Sequence, residues 1–103
     1  MLSDFERRIA SIPQDLCEPF HAEARQLVTE LMAIYKMVVL CVRQQENLEE
    51  VAISWSVMVE ICDAFAKQLN NLSEQHPYCG ADAYYDRVLD LRNKCERLQQ
   101  LHS

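Results

Sequence analysis

Apolar residues recur alternately four and three positions apart along the first half of the chain. They comprise Phe20, Ala24, Leu27, Leu31, Ile34, Val38 and Cys41. This spacing lines one side of an α-helix, whereas a strand would alternate apolar and polar residues. Within residues 31–42 the only charge is Lys36, and apolar residues cover about half of the helix circumference at ~100° per residue. The pattern predicts a long helix that starts between Asp15 and Pro19, ends near Gln45 and is buried in its middle.

Two further long helices follow with the same spacing. Asn47, followed by Glu49 and Glu50, is typical of a helix cap and an acidic first turn. The apolar seam of this second long helix is Leu48, Val51, Trp55, Met58, Cys62, Phe65, Leu69 and Leu72. Residues 70–80 hold the only glycine, a proline and several polar residues, which predicts the one substantial loop. The third long helix opens at Asp82 and carries a single stripe of Tyr84, Val88, Leu91, Cys95 and Leu98.

A short helix is predicted ahead of these three, because Ser3 and Glu6 fit a capping box and Pro13 ends the segment. The connection between the first two long helices is so short that they must fold back antiparallel. We therefore expect one all-α domain over residues 1–103, an up-down antiparallel bundle of three long helices plus a short N-terminal helix. One glycine and three prolines provide few turns for an all-β fold, and a hydrophobic content of 50% provides a core.

The first two long helices carry more apolar surface than one facing seam uses. The third helix offers a single stripe, and the short N-terminal helix covers only part of the surplus. The remaining apolar positions form the predicted protein interface: Met37, Leu40, Ile53, Val57 and Ile61. Tyr78, in the loop, is predicted to be a separate exposed contact. The alternative is that the interface positions pack beneath the N-terminal segment of the same chain.

The net charge of −6 repels a phosphate backbone, so nucleic-acid binding is not expected. Glu30, Lys36 and Arg43 interrupt the apolar run well before the roughly 20 residues that a membrane span needs. The N-terminus shows no basic region followed by an apolar core, so no secretion signal is expected. Five cysteines are an odd number for a closed disulfide framework. A reducing, cytoplasmic location is therefore predicted.

Two histidines and two cysteines are candidates for a zinc site. Cys17 and His21 lie at the start of the first long helix, while His76 and Cys79 lie in the loop before the third. An up-down topology places both pairs at the same end of the bundle, where two thiolates and two imidazoles suit tetrahedral zinc. Neither spacing is a strong zinc signature by itself, and the alternative is that these are ordinary cysteines and half-exposed histidines.

Arg97 and His102 are separated by four residues near the C-terminus. This resembles the signature of the HEPN-type helical ribonucleases, in which an arginine and a histidine separated by four to six residues serve the RNA-cleaving site. The resemblance implies a catalytic role for Arg97 and His102, but Leu98 occupies the position where those enzymes often carry a polar residue. A solvated arginine and a terminal histidine are the alternative, and the acidic charge of the chain favours it.

The sequence therefore favours a small, non-enzymatic, protein-interaction module, an adaptor or a complex subunit. No cofactor, catalytic residue or resident metal is expected. The expected partner is another protein or a further copy of the chain, held by the surplus apolar rows of the first two long helices. A HEPN-like ribonuclease and a zinc-stabilised module are the alternatives.

Overall fold

Three helices make up the fold in the computed structural model, which describes residues 7, 8, 12 and 16–102. They are α1 (Cys17–Gln44), α2 (Leu48–Gln75) and α3 (Asp82–His102), and the described residues contain no strand. Consecutive helices are joined by three and six residues, so they run antiparallel. The predicted all-α packing of three long helices is confirmed. The predicted short N-terminal helix falls mostly outside the described residues.

The boundary between α1 and α2 follows from local chemistry. The side-chain oxygen of Asn47 accepts a hydrogen bond from the backbone N–H of Glu49 at 2.9 Å, which satisfies one of the free donors at the start of α2. At the end of α1, the backbone N–H of Gln45 donates to the carbonyl of Val42. The sequence-based prediction of both boundaries is confirmed to within a residue.

The predicted loop over residues 70–80 is too long, because α2 continues to Gln75. Leu72 is fully buried and holds this last part of α2 on the core despite its polar neighbours. The helix ends where His76 precedes Pro77, since a residue before proline is disfavoured in the α conformation. Gly80 adopts a positive φ of 70° in the turn that leads to α3, a conformation that glycine tolerates without strain.

The core lies where all three helices meet. Its largest fully buried side chains are Phe20, Phe65, Leu27, Leu31, Met58, Leu69, Leu72, His76 and Val88. Helix α2 packs most extensively on α3, and α1 packs on this pair mainly through its first half. The Cα positions extend 50 × 21 × 15 Å with a radius of gyration of 15.2 Å, against about 13 Å for a compact chain of this length. The protein is therefore an elongated and thin bundle.

The second half of α1 is less buried than the sequence predicted. Leu31 is the last buried residue of α1; beyond it Ile34 and Val38 are half-buried, and Cys41 is exposed. The reason lies partly in α3, which presents Lys94 to this part of α1. The Lys94 ammonium lies 5.4 Å from the centre of the Tyr35 ring, a cation–π arrangement that leaves the charge near solvent. The prediction of a helix buried in its middle, residues 31–42, is wrong beyond Leu31, because residues 32–42 are half-buried or exposed.

The contrast between two leucines of α1 yields a stability prediction. Leu31→Ala removes a side chain that is only 1% exposed and is expected to lower the free energy of unfolding by about 3 kcal/mol. Leu40→Ala removes one that is 58% exposed and is expected to change it by less than about 0.5 kcal/mol. Urea unfolding followed by circular dichroism measures both values. Equal losses for the two variants would contradict this position of the core.

Candidate docking face

An open apolar groove runs between α1 and α2 on the side facing away from α3. We call it the hairpin groove, and its volume is about 410 Å³. Its lining residues are Ile34, Met37, Val38 and Cys41 from α1 and Ile53, Ser54 and Val57 from α2. The Ser54 hydroxyl donates to the backbone carbonyl of Glu50 at 2.9 Å. Ser54 is thus already hydrogen-bonded, and the other lining side chains are hydrocarbon, thioether or thiol groups.

Helical periodicity explains why these residues lie outside the core. Met37 is six positions beyond Leu31, which places it about 120° around α1 from that buried residue. Ile53 is two positions before the buried Trp55, about 160° away around α2. Because α1 and α2 are antiparallel and joined by only three residues, both apolar rows open on the same face. The α1–α2 pair consequently has one face on α3 and one face that no described residue covers.

The predicted interface residues largely occupy this uncovered face. Met37 is 66% exposed, Leu40 58%, Ile53 57% and Val57 47%. Met37, Ile53 and Val57 line the hairpin groove, and Leu40 lies at its α1 edge beside Lys36 and Arg43. Scattered exposed apolar residues are ordinary on protein surfaces, whereas a contiguous patch marks a binding site more often. The structure therefore brings four of the predicted positions together.

Two of the predicted interface residues lie elsewhere. Ile61 is half-buried and packs against the core. The apolar row on α2 faces solvent only as far as Val57. Tyr78 is 97% exposed in the turn between α2 and α3. The distance along α2 from Val57 to this turn is roughly 30 Å at 1.5 Å per residue. Tyr78 is therefore exposed as predicted but does not belong to the hairpin groove.

Charges of opposite sign border the two edges of the hairpin groove. Exposed Lys36 and Arg43 follow the outer edge of α1. Helical periodicity places exposed Glu49 and Glu60 together on the side of α2 away from α1, where Glu49 also borders the depression shared with α3. None of these four side chains forms an ion pair with any residue in the range 16–102. A basic edge and an acidic edge thus flank one apolar strip. The sequence analysis missed this charge arrangement. Helical periodicity would have shown it, because it places Lys36 and Arg43 on one side of α1 and Glu49 and Glu60 on one side of α2.

The cysteines and histidines predicted as a zinc site do come together at the opposite end of the bundle. Cys17 and Cys79 form a disulfide with a Cα–Cα distance of 5.2 Å. The ring centres of Phe20 and His76 lie 5.7 Å apart. His21 Nδ1 lies 3.0 Å from the hydroxyl of Tyr84, as hydrogen-bonding partners. The predicted convergence at one end is confirmed.

The chemistry at this end differs from the zinc hypothesis. Sulfur atoms that are bonded to each other are not thiolates, which zinc requires as ligands. Within the part of the chain that the structure describes, no group of three or more His, Cys, Asp or Glu side chains is placed to hold a metal ion. The reading of Cys17 and Cys79 as ordinary cysteines is also wrong. A disulfide fits an oxidising compartment, whereas the cytoplasmic location inferred from sequence stays a prediction.

Arg97 and His102 do not form a common site in the chain. Five positions separate them on α3, which places them about 140° apart around the helix. Arg97 is exposed. His102 faces α2, in a shallow depression that also includes Glu49 and Gln99.

The remaining cysteines differ in accessibility. Cys62 and Cys95 are buried between α2 and α3 and hydrogen-bond to each other, whereas Cys41 is exposed in the hairpin groove. Burial raises the pKa of the Cys62 thiol to about 12, with a further contribution from Cys95. Burial also raises the pKa of Cys95. The thiolate is the reactive form of cysteine, and the raised pKa values keep Cys62 and Cys95 as neutral thiols. Cys41 is therefore the thiol of the folded chain that a reagent can reach.

No protein-family profile, curated protein sequence or solved structure matches this chain. Among the described residues, no helix has both the length and the apolar character required to traverse a lipid bilayer.

Removal of the disulfide is expected to destabilise the bundle. Cys17 and Cys79 are 62 residues apart, and closure of a loop of this length in the unfolded chain corresponds to about 4 kcal/mol of stability. The double variant Cys17→Ser, Cys79→Ser should lose a large part of this value in urea unfolding. Cys41→Ser serves as the matched control and should unfold like the parent chain. An unchanged stability of the double variant would contradict the role of the disulfide.

Thiol alkylation is expected to proceed in distinct steps. In the folded chain at neutral pH, a maleimide should label Cys41 rapidly and leave Cys62 and Cys95 unmodified, because both are buried and remain neutral thiols. Denaturant should expose these two, and a reductant should add Cys17 and Cys79. Mass spectrometry counts the labels at each step. Rapid labelling that persists in Cys41→Ser would show that the buried pair is accessible.

Proposed function

We propose that this chain is a non-enzymatic interaction module that works by docking a protein surface into the hairpin groove. The observation that carries the proposal is the contiguous exposure of Met37, Leu40, Ile53 and Val57 beside a groove lined by apolar groups. Full burial of one such side chain contributes roughly 1.5–3 kcal/mol. A partner that covers the partly exposed row therefore gains several kcal/mol from apolar contact alone.

The shape of the groove favours a helical occupant. Two antiparallel helices form an elongated furrow, into which a third helix lays an apolar face. An extended strand would leave its backbone N–H and C=O groups facing hydrocarbon, since the lining has no free backbone edge to pair with them. The partner surface is therefore an amphipathic helix or a pair of helices.

The lining of the groove favours binding over catalysis. Catalytic pockets combine apolar walls with convergent polar groups of perturbed pKa. Here the hydroxyl of Ser54 is engaged with the carbonyl of Glu50. The thiols whose pKa burial raises, Cys62 and Cys95, lie between α2 and α3 and do not line the groove. The role that suits this surface is that of an adaptor or a complex subunit.

The proposal is tested through Cys41, which lies within the groove and reports its occupancy. Alkylation of Cys41 is compared between the undiluted extract of the source cells and the purified chain at nanomolar concentration. A docked protein surface should slow the reaction about tenfold or more in the extract, since the occupant shields the thiol. Mass spectrometry of the Cys41 peptide gives both rates.

Two variants control this measurement. Val57→Asp places a charge on the groove wall and should remove the protection, because a docked apolar surface would bury the carboxylate. Leu16→Asp alters a leucine that is also about half exposed but precedes α1 at the other end of the bundle, and it should keep the protection. Equal alkylation rates in the extract and in the dilute purified chain would refute the docking role.

A further inference from the structure

We infer that the hairpin groove binds a second copy of this chain, so that two α1–α2 pairs form a four-helix core around a twofold axis parallel to the helices. This inference rests on the proposed function and adds the identity and orientation of the occupant. It follows from the charges along the two edges of the groove and from the position of Leu40.

Two twofold arrangements can bring the uncovered faces of two copies together. An axis parallel to the helices sets α1 of one copy opposite α2 of the other, and every neighbouring pair of helices in the core is then antiparallel. An axis perpendicular to the helices, in the plane of the interface, sets α1 opposite α1 and α2 opposite α2. Both are isologous and closed, as most dimers are. The charges at the edges of the groove differentiate between them.

The connection of residues 45–47 fixes which residues of α1 and α2 lie at the same height. Arg43 and Glu49 are equally far from the centre of the connection, so they lie at the same height along the helix axes. Lys36 lies at the height of residue 56, about one helical turn from the height of Glu60. A parallel axis preserves height, so it places Arg43 and Lys36 of one copy along the edge that carries Glu49 and Glu60 of the other. Each dimer thus contains two such edge contacts, and both join opposite charges.

The perpendicular axis has the opposite electrostatic result. It places the basic edge of α1 beside the basic edge of the second α1, and the acidic edge of α2 beside its own copy. Like charges at these distances repel each other. The distribution of Lys36, Arg43, Glu49 and Glu60 is therefore complementary to itself in the parallel-axis dimer alone.

The position of Leu40 supports the same arrangement. Leu40 is 58% exposed and lies on the far side of Met37 from α2, outside the lining of the hairpin groove. A single helix lying along the groove would leave it in water. In the parallel-axis dimer, α2 of the second copy lies against this edge of α1 and covers Leu40. The second copy therefore accounts for all four exposed interface residues.

The size of the face defines the strength of the association. The hairpin groove spans residues 34–41 of α1 and 53–57 of α2, which corresponds to at most roughly 12 Å of helix length across two helices of about 10 Å diameter. This face is smaller than the ~800 Å² per partner of a standard stable interface. The dimer is consequently expected to dissociate on dilution.

Sedimentation equilibrium of the full, disulfide-bonded chain over a wide concentration range tests the inference. The parent chain should show a reversible monomer–dimer equilibrium. Val57→Asp should raise the dissociation constant about tenfold or more with helix content unchanged, whereas Leu16→Asp should leave it unchanged. A parent chain that stays monomeric up to about 1 mM, while Cys41 remains protected in the extract, would overturn the second copy as occupant and leave the docking function intact.

Charge reversal tests the orientation. Arg43→Glu and Glu49→Arg should each weaken self-association about tenfold, because each replaces two attractive contacts per dimer by two repulsive ones. An equimolar mixture of the two variants should dimerise like the parent chain, since every contact in the mixed dimer again joins opposite charges. Under the perpendicular axis, Arg43 lies beside the basic edge of the second α1, so Arg43→Glu removes repulsion and leaves the dissociation constant unchanged or lower. That result would overturn the proposed orientation.

Discussion

The packing of α2 on α3 is the constraint on which the rest of the structure depends. Buried side chains of both helices, among them Met58, Phe65 and Val88, meet along this contact. Because α3 carries one apolar stripe, it lies on one face of the α1–α2 pair and leaves the other face open. The exposure of Met37 and Ile53 is therefore a consequence of how little apolar surface α3 offers.

The ends of α1 are held differently, and this difference positions the groove. The Cys17–Cys79 disulfide joins the first turn of α1 to the turn before α3, close to the packed rings of Phe20 and His76. The other end of α1 is held by the three-residue connection to α2. Between these two points α1 changes from a buried helix to one wall of an open groove, and the accessible Cys41 lies in that wall.

Sequence reasoning located most of the candidate face but not all of its members. Met37 and Val57 were predicted as interface residues because they lie outside the apolar seams of their helices. The spacing that defines such a seam is a local property of each helix. Ile61 also lies outside the seam but is half-buried, since the extent to which α1 shields α2 at that height depends on the distance between the helices. The disulfide was missed for a related reason: an odd number of cysteines argued against a closed framework, although one pair can form and leave the others as thiols.

Periodicity by itself determined three helices and their antiparallel order, because the three- and four-residue spacing and the cap at Asn47 act within a few residues, whereas the end of α2 was placed too early, before Gln75. The tertiary structure alone decided which apolar rows are covered. Leu31 and Met37 belong to the same apolar run of the sequence, yet one is buried and the other is open to solvent. Burial depends on the surface that a distant helix brings to a residue, and no local pattern contains that information.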